Sequence, residues 1–290
     1  MKLSKRVCSL IRQSLKEDVG TGDITTHLLV PNRLSGDAYI DAKGNGILCG
    51  GAVVKEVFQA VDSKLKVVQQ IPDGSAVSKG KKIFRISGNI KSILRAERTA
   101  LNFLSHLSGI ASAAHQYAEK VKGTKARIYD TRKTTPLWRE LEKSAVLTGG
   151  ARNHRFGLWD EVLVKDNHWD ALGGVAKSSV LNLKQKLRSS RVPVEIEVTN
   201  VRELNRLLEA QVFPDRILLD NFSVPELKKA VKLVKRKKPG IALEASGGVT
   251  LNNVRQIAKT GVDRISIGAL THSVLAVDFS LTVSQIRKRS

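Results

Sequence analysis

The sequence predicts an α/β protein, with an N-terminal α/β domain over residues 1–105 and an irregular parallel α/β barrel over 106–271. Three observations carry that reading. From residue 126 onward, short apolar runs recur: ARIYD (126–130), EVLVK (161–165), VEIEV (194–198), RILLD (216–220), IALEA (241–245) and DRISI (263–267). Helical stretches fit between them at 137–148, 170–190, 200–211, 224–238 and 251–259. Near-continuous apolar strands alternating with helices mark a parallel sheet covered on both faces. The third observation is where the polar residues fall. Asp130 with Arg132-Lys133, Lys165-Asp166, Glu195 with Glu197, Asp220-Asn221, Glu244 with Ser246-Gly247-Gly248, and Ser266 with Gly268 all lie in or just after the strand ends. A barrel gathers such ends on one rim, whereas an open sheet spreads them along an edge. Six strands are fewer than eight, so the barrel is expected to be incomplete.

Before the barrel, residues 3–16 place Leu3, Val7, Leu10, Ile11 and Leu15 near helical spacing. EDVGTGDITT follows as a turn-rich loop in which Asp23 reads as a turn or cap residue at least as well as a catalytic one. Residues 34–49 alternate and read as two short strands about a Gly-Asn-Gly turn, 51–61 as a helix, and 65–70 and 82–87 as strands. The rhythm around IPDGSAVSKG is that of a small hammerhead-like β module; without a lysine in a modifiable hairpin, a structural use is expected rather than a carrier function. A long helix is predicted from Ser92 to Lys122, with Gly109 a point of division and Arg98 one turn from Asn102. For Arg98, a plain surface position and a ligand contact are equally consistent. The last segment, 272–290, reads as a helix packing back on the N-terminal domain.

Composition narrows the function classes. Hydrophobic residues make up 41%, enough for a sizeable core. No apolar run approaches the roughly 18 residues that span a bilayer, and the basic N-terminus lacks the apolar core and cleavage site of a signal peptide. Cys8 and Cys49 alone exclude a disulfide framework and a Cys-rich metal site, and a cytoplasmic location is expected. The net charge of +22 is high, and Lys228–Lys238 is densely basic with Ala230, Val231 and Val234 free for an apolar face. That run reads as a solvated helix. Nucleic acid is not an expected partner: no zinc-finger, RNP-like or helix-turn-helix pattern accompanies the charge, and aromatics make up only 4%.

The chemistry concentrates between Asp130 and His168, where Arg132, Lys133, His154, Arg155 and Lys165 stand close together. Arginine holds carboxylate or phosphate in a bidentate fork and lysine acts as a point charge, so this density implies a small, highly anionic ligand. Gly149-Gly150 and Gly247-Gly248 let backbone N–H groups approach a phosphate, the second pair just before a helix beginning near Thr250. Glu197 and Asp220 suit ribose hydroxyls or Mg²⁺. G-x-S-x-G, HExxH and Walker A patterns are all absent.

DTRKTTP, LEK, NHR, KDNH, EIEVTN, LLDNF, EASGGV and SIGALTHS, preceded by EDVGTGDITT and AERTALNFL, run in order over nearly the whole chain and strongly resemble the quinolinate phosphoribosyltransferase family. The resemblance implies transfer of phosphoribosyl from phosphoribosyl pyrophosphate to quinolinate with loss of CO2, giving nicotinate mononucleotide and pyrophosphate for NAD biosynthesis. It implies an N-terminal α/β sandwich, an irregular barrel, and a homodimer or higher assembly. It implies that Arg132, His154, Arg155 and Lys165, with Arg98 of a neighbouring subunit, bind the two carboxylates, and that Thr131 is a further substrate contact. Lys133, Glu197 and Asp220 would serve catalysis, the phosphoribosyl donor and its Mg²⁺; Ser246, Gly247, Gly248 and Gly268 would hold the phosphate. A paralogue of the same fold or a nicotinate-type phosphoribosyltransferase is the second enzyme reading. The chain departs from the pattern at Leu137-Trp138, where the family often has Gly-Leu, at GGARNHR, where GGG-x-NHR is common, and at LEKSAV, where LEKYAV is common.

Overall fold

The computed structural model describes residues 3–174, 177–187 and 190–288. They divide into two compact units. One runs to His115, adds Thr134–Gly150 and resumes at Leu270; the other comprises Gln116–Lys133 and Ala151–Ala269.

In the first unit, α1 (Lys5–Val19) buries Val7, Ile11 and Leu15 at four-residue spacing, and the Ser4 hydroxyl caps it by accepting the Val7 N–H. The following segment is more than a loop. Asp23 accepts the Thr26 N–H at 2.9 Å and caps a short α2 (Ile24–Leu29), a contact worth about 1 kcal/mol. Next come β1 (Leu34–Ala42), β2 (Gly46–Ile47), α3 (Gly51–Val61), β3 (Lys66–Gln69), β4 (Ala76–Val77), β5 (Lys82–Asn89) and α4 (Ile90–Lys120). β2 pairs with β4 and not with β1. α4 is unbroken at Gly109; a Cβ there would meet the Leu275 carbonyl oxygen and the Val274 side chain, so this glycine serves close packing rather than division.

The barrel strands fall where the apolar runs predict them. After β6 (Arg127–Tyr129) the chain forms α5 (Arg139–Thr148), β7 (Val162–Val164), α6 (Asp166–Ala171), α7 (Lys177–Leu187), β8 (Val194–Val198), α8 (Val201–Glu209), β9 (Arg216–Asp220), α9 (Val224–Lys237), β10 (Ala242–Ser246), α10 (Val254–Ala258), β11 (Arg264–Ser266) and α11 (Ala269–His272). The expected helix over 170–190 is two helices, and its residues 175–176 and 188–189 lie outside the described residues. The six strands form one parallel sheet in the order β6-β11-β10-β9-β8-β7, and a single bridge from Arg152 to Tyr129 extends it beyond β6. Among the described residues no ladder joins β6 to β7, so the barrel is open along one seam. α5 clusters with the first unit although it lies between β6 and β7 in the chain. Glu142 of α5 is fully buried, accepting the Thr135 N–H at 3.2 Å and facing His106 Nε2 at 2.9 Å.

The expected C-terminal helix is a strand. β12 (Phe279–Lys288) runs antiparallel to β1, closing a sheet of order β12-β1-β5-β3 in the first unit. Phe279, Leu281 and Val283 are more buried than Thr282 and Ser284, the period of a strand covered on one face. Asp37 of β1, with its side chain 3% exposed, takes Arg85 of β5 at 3.1 Å and Arg287 of β12 at 2.9 Å. The Ser87 hydroxyl, with these two guanidiniums, holds the Asp37 carboxyl below its usual range against the effect of burial.

Candidate active site

All the strand-end groups of the barrel lie in the second unit. Register partners of parallel strands share a face, and residues two apart on a strand do too. Asp220 of β9 pairs with Ser246 of β10, Leu218 with Glu244 and with Glu197 of β8, and Arg216 with Glu195. One face of the sheet therefore carries a column of charge, from Arg216 and Glu195 at the strand starts to Asp220 and Ser246 at their ends.

At the outer end, Glu197 is 6% exposed and takes Lys165 Nζ at 3.1 Å. Burial pushes its carboxyl above the ordinary range, Lys165 pulls it back, and Asp220 and Asp166 add to the rise. The KDNH run fixes Lys165 locally: His168 Nδ1 accepts the Lys165 N–H at 2.9 Å and caps α6. Trp169 of α6 donates its indole N–H to the Glu197 carbonyl at 3.3 Å. Asp220 accepts the Asn221 amide at 2.7 Å. Asn221 sits at φ +54 and Gly247 at φ +88, and a Cβ on Gly247 would run into the Asn221 side chain. Gly248, at φ +58, faces open space. Ser246 and Gly268 are partly buried beside this turn, and Lys133 is exposed on the loop after β6, where its N–H donates to Thr131 Oγ1 at 3.1 Å.

On the same face lies a second, enclosed set of charges. His154 Nε2 stands 3.1 Å from Glu195 and 3.3 Å from Glu244, both carboxylates wholly buried. Arg216 reaches Glu161 and, at 3.7 Å, Glu195. His154 Nδ1 accepts the Arg155 N–H at 2.8 Å, and the His154 N–H donates to Asp130 at 2.7 Å. Burial by itself disfavours a protonated His154; the two glutamates outweigh it and raise the proton affinity to about 10. A doubly protonated ring would set a hydrogen on Nδ1 against the Arg155 N–H. The geometry therefore puts the ring proton on Nε2, and the Arg155 N–H on Nδ1 opposes the second proton that the two glutamates favour.

The structure redistributes the predicted cations. His154 and Arg155 border a cavity of ≈ 430 Å³ together with Tyr129, Arg152, Glu161 and Arg216, while Arg132, Lys133 and Lys165 do not line it. Burial, and then the neighbouring Arg132, lower the Arg155 pKa, so these two guanidiniums are close enough to repel. Both ring nitrogens of His154 are engaged within the protein. Lys165 is paired with Glu197, the acid assigned to the other substrate. Arg98 is exposed on α4 of the first unit. Gly149 is not a phosphate cradle: it ends α5, and a Cβ there would collide with the Ala111 carbonyl. Gly247-Gly248 do not abut a helix, since α10 starts at Val254. Glu195 and Glu244 were not singled out from sequence as site residues. The available signal was two acids with alternate spacing in the otherwise apolar run VEIEV, and one in IALEA.

Among the described residues, the one group of His, Cys, Asp and Glu converging tightly enough to hold a metal is His154, Glu195 and Glu244. Glu197 and Asp220 are not part of a preformed cage. As oxygen donors on one face near the strand ends they fit Mg²⁺, which keeps several waters and takes one or two carboxylates plus substrate phosphates.

Comparison with known proteins agrees with this architecture. Residues 23–108 match the quinolinate phosphoribosyl transferase N-terminal domain, and residues 110–282 match its C-terminal domain. The chloroplastic nicotinate-nucleotide pyrophosphorylase [carboxylating] of Arabidopsis thaliana is 42% identical over 95% of this chain and 82% of its own. The enzyme of that name from Mycobacterium leprae is 39% identical over 93% of this chain and 95% of its own. The solved structure of the nicotinate-nucleotide pyrophosphorylase from Francisella tularensis superposes with a TM-score of 0.87 at 39% identity, covering 99% of this chain and 98% of that one. The chain belongs to the quinolinate phosphoribosyltransferase family.

Proposed function

We infer that this protein transfers the phosphoribosyl group of phosphoribosyl pyrophosphate to the ring nitrogen of quinolinate, with decarboxylation to nicotinate mononucleotide, as a step of NAD biosynthesis. The observation that carries this is the end-to-end match at about 40% identity to relatives bearing that activity in their names. Arg132 and Arg155 are the main dicarboxylate contacts in this reading: two guanidiniums that repel one another favour a doubly charged ligand between them. Thr131 and Lys165 flank that ligand, and His154 acts through Arg155. Arg98, exposed on α4, completes the site of a neighbouring copy. A dimer is part of the proposal, and the exposed Ile24, Leu28 and Leu29 of α2 offer apolar surface for a second chain to cover.

Lys133, Glu197 and Asp220 serve the phosphoribosyl donor, with Ser246, Gly247, Gly248 and Gly268 around its phosphate. As pyrophosphate departs, the ribose gains positive character that the Glu197 and Asp220 carboxylates stabilise, and Lys133 offsets the negative charge of the leaving group. Mg²⁺, held by Glu197 and Asp220, would neutralise pyrophosphate charge. Once alkylated, the ring nitrogen is cationic and acts as the electron sink for loss of the adjacent carboxylate. The two free cysteines, Cys8 and Cys49, accord with a cytoplasmic location. The test is formation of CO2 and nicotinate mononucleotide from quinolinate, phosphoribosyl pyrophosphate and Mg²⁺. No turnover by a folded, dimeric sample overturns the reading.

A further inference from the structure

Glu195 and Glu244 are two buried acids to which the transfer reaction above gives no role. Each is 0% exposed, and their oxygens have no hydrogen-bond partner among the described residues beyond the ion-pair contacts to His154 and Arg216. Placing two carboxylates in a dry interior is costly unless something demands them there, and an apolar layer would fill the same space. What both of them meet is the Nε2 edge of one imidazole, while Arg216 also stands beside Glu195. The opposite edge of that imidazole accepts the Arg155 N–H, while Asp130 takes the His154 N–H. Three carboxylates thus fix two consecutive residues, and the second of these carries a guanidinium tied down elsewhere by one hydrogen bond, from Nη1 to the Glu161 carbonyl at 3.0 Å.

We propose that Glu195 and Glu244 are positioning residues for the transfer reaction: by keeping the His154 proton on Nε2 they leave Nδ1 as an acceptor, which locks the Arg155 main chain and aims its guanidinium at a substrate carboxylate. The proposal rests on the dicarboxylate reading of Arg155 given above. It also accounts for a histidine whose two nitrogens both face the protein. A purely structural ion pair would need no unprotonated Nδ1; the relay does.

Steady-state kinetics of Glu244→Gln and Glu195→Gln test it, because glutamine keeps the shape and removes the charge that selects the tautomer. The expected result is a rise of about tenfold in the KM for quinolinate, with kcat and the KM for phosphoribosyl pyrophosphate within about threefold of wild type. Nitrogen-15 spectra of histidine-labelled protein, with the His154 signals assigned by their loss in His154→Gln, supply the second readout. Wild type is expected to show a protonated Nε2 and an unprotonated Nδ1, and the glutamine variants a mixture of tautomers. A folded variant with unchanged quinolinate KM overturns the proposal, as does an equal rise in both KM values with the wild-type tautomer retained. Should wild type fail to turn over quinolinate, the functional reading falls separately. The spectra then decide the relay alone, and a protonated Nδ1 in wild type sinks it even if no variant folds.

Discussion

Glu195 and Glu197 stand two residues apart on β8, point to the same side of the sheet and have the same chemistry, yet they occupy different worlds. Glu197 meets a lysine whose side chain is 45% exposed, close to Asp220 at the open strand ends. Glu195 meets a histidine 7% exposed and an arginine 9% exposed, inside the column. The difference teaches that depth along β8 decides what a carboxylate is for. At the rim its charge can be answered by a substrate, a metal or water. One pair of residues deeper it is answered only by fixed protein groups, so its effect is on the placement of its neighbours.

The largest predicted contrast is in stability. Removing one member of a buried charge pair leaves its partner uncompensated, at about 3–5 kcal/mol. Glu195→Ala is therefore expected to lose that much in urea unfolding, and Glu197→Ala less, because its partner Lys165 is 45% exposed and can return to water. Equal losses would erase the distinction.

Activity should show the reverse order. Lys133 is exposed and its loss should leave stability within about 0.5 kcal/mol. Removing a cation aimed at developing charge costs about a hundredfold in kcat, so Lys133→Ala is expected to fold normally and turn over about a hundredfold more slowly. Normal turnover would remove Lys133 from the mechanism. Gly247→Ala comes next. It places a Cβ at φ +88 against the Asn221 side chain, with an expected loss of about 1–3 kcal/mol and a raised KM for phosphoribosyl pyrophosphate. An unchanged KM would separate this turn from the phosphate.

These contrasts follow a division already present in the sequence. The six barrel strands were legible because each is a near-continuous apolar run, and the rim was legible because acids and bases recur at the ends of those runs. Pairing was not. β12 lies beside β1 through contacts such as Ala42 with Phe279, and no local pattern names a partner that distant. The alternation of Phe279, Leu281 and Val283 is a strand's own local signature. Gly149 and Gly109 illustrate another limit: a glycine needed for close packing of two backbones looks the same in sequence as one needed for an anion. The buried layer was hidden for a related reason. Two acids at alternate positions of one strand look equivalent until burial separates them.

The smallest effect concerns a residue outside both regions. Leu137 adopts φ +69 while its side chain is 62% exposed, and the next residue, Trp138, stacks on Phe103 at 4.5 Å. A left-handed leucine costs about 1–2 kcal/mol. Trp138 gives the turn its anchor, so the strain is tolerated rather than relieved. Glycine would remove the clash between Cβ and the carbonyl but lose about 0.5–1 kcal/mol in chain entropy. The two nearly cancel, and Leu137→Gly is expected to raise stability by roughly 0.5 kcal/mol, read as a small upward shift of the urea midpoint at constant slope. A loss of more than about 1 kcal/mol would mean that the exposed leucine side chain contributes packing, and that the turn is held from both of its residues instead of from Trp138 alone.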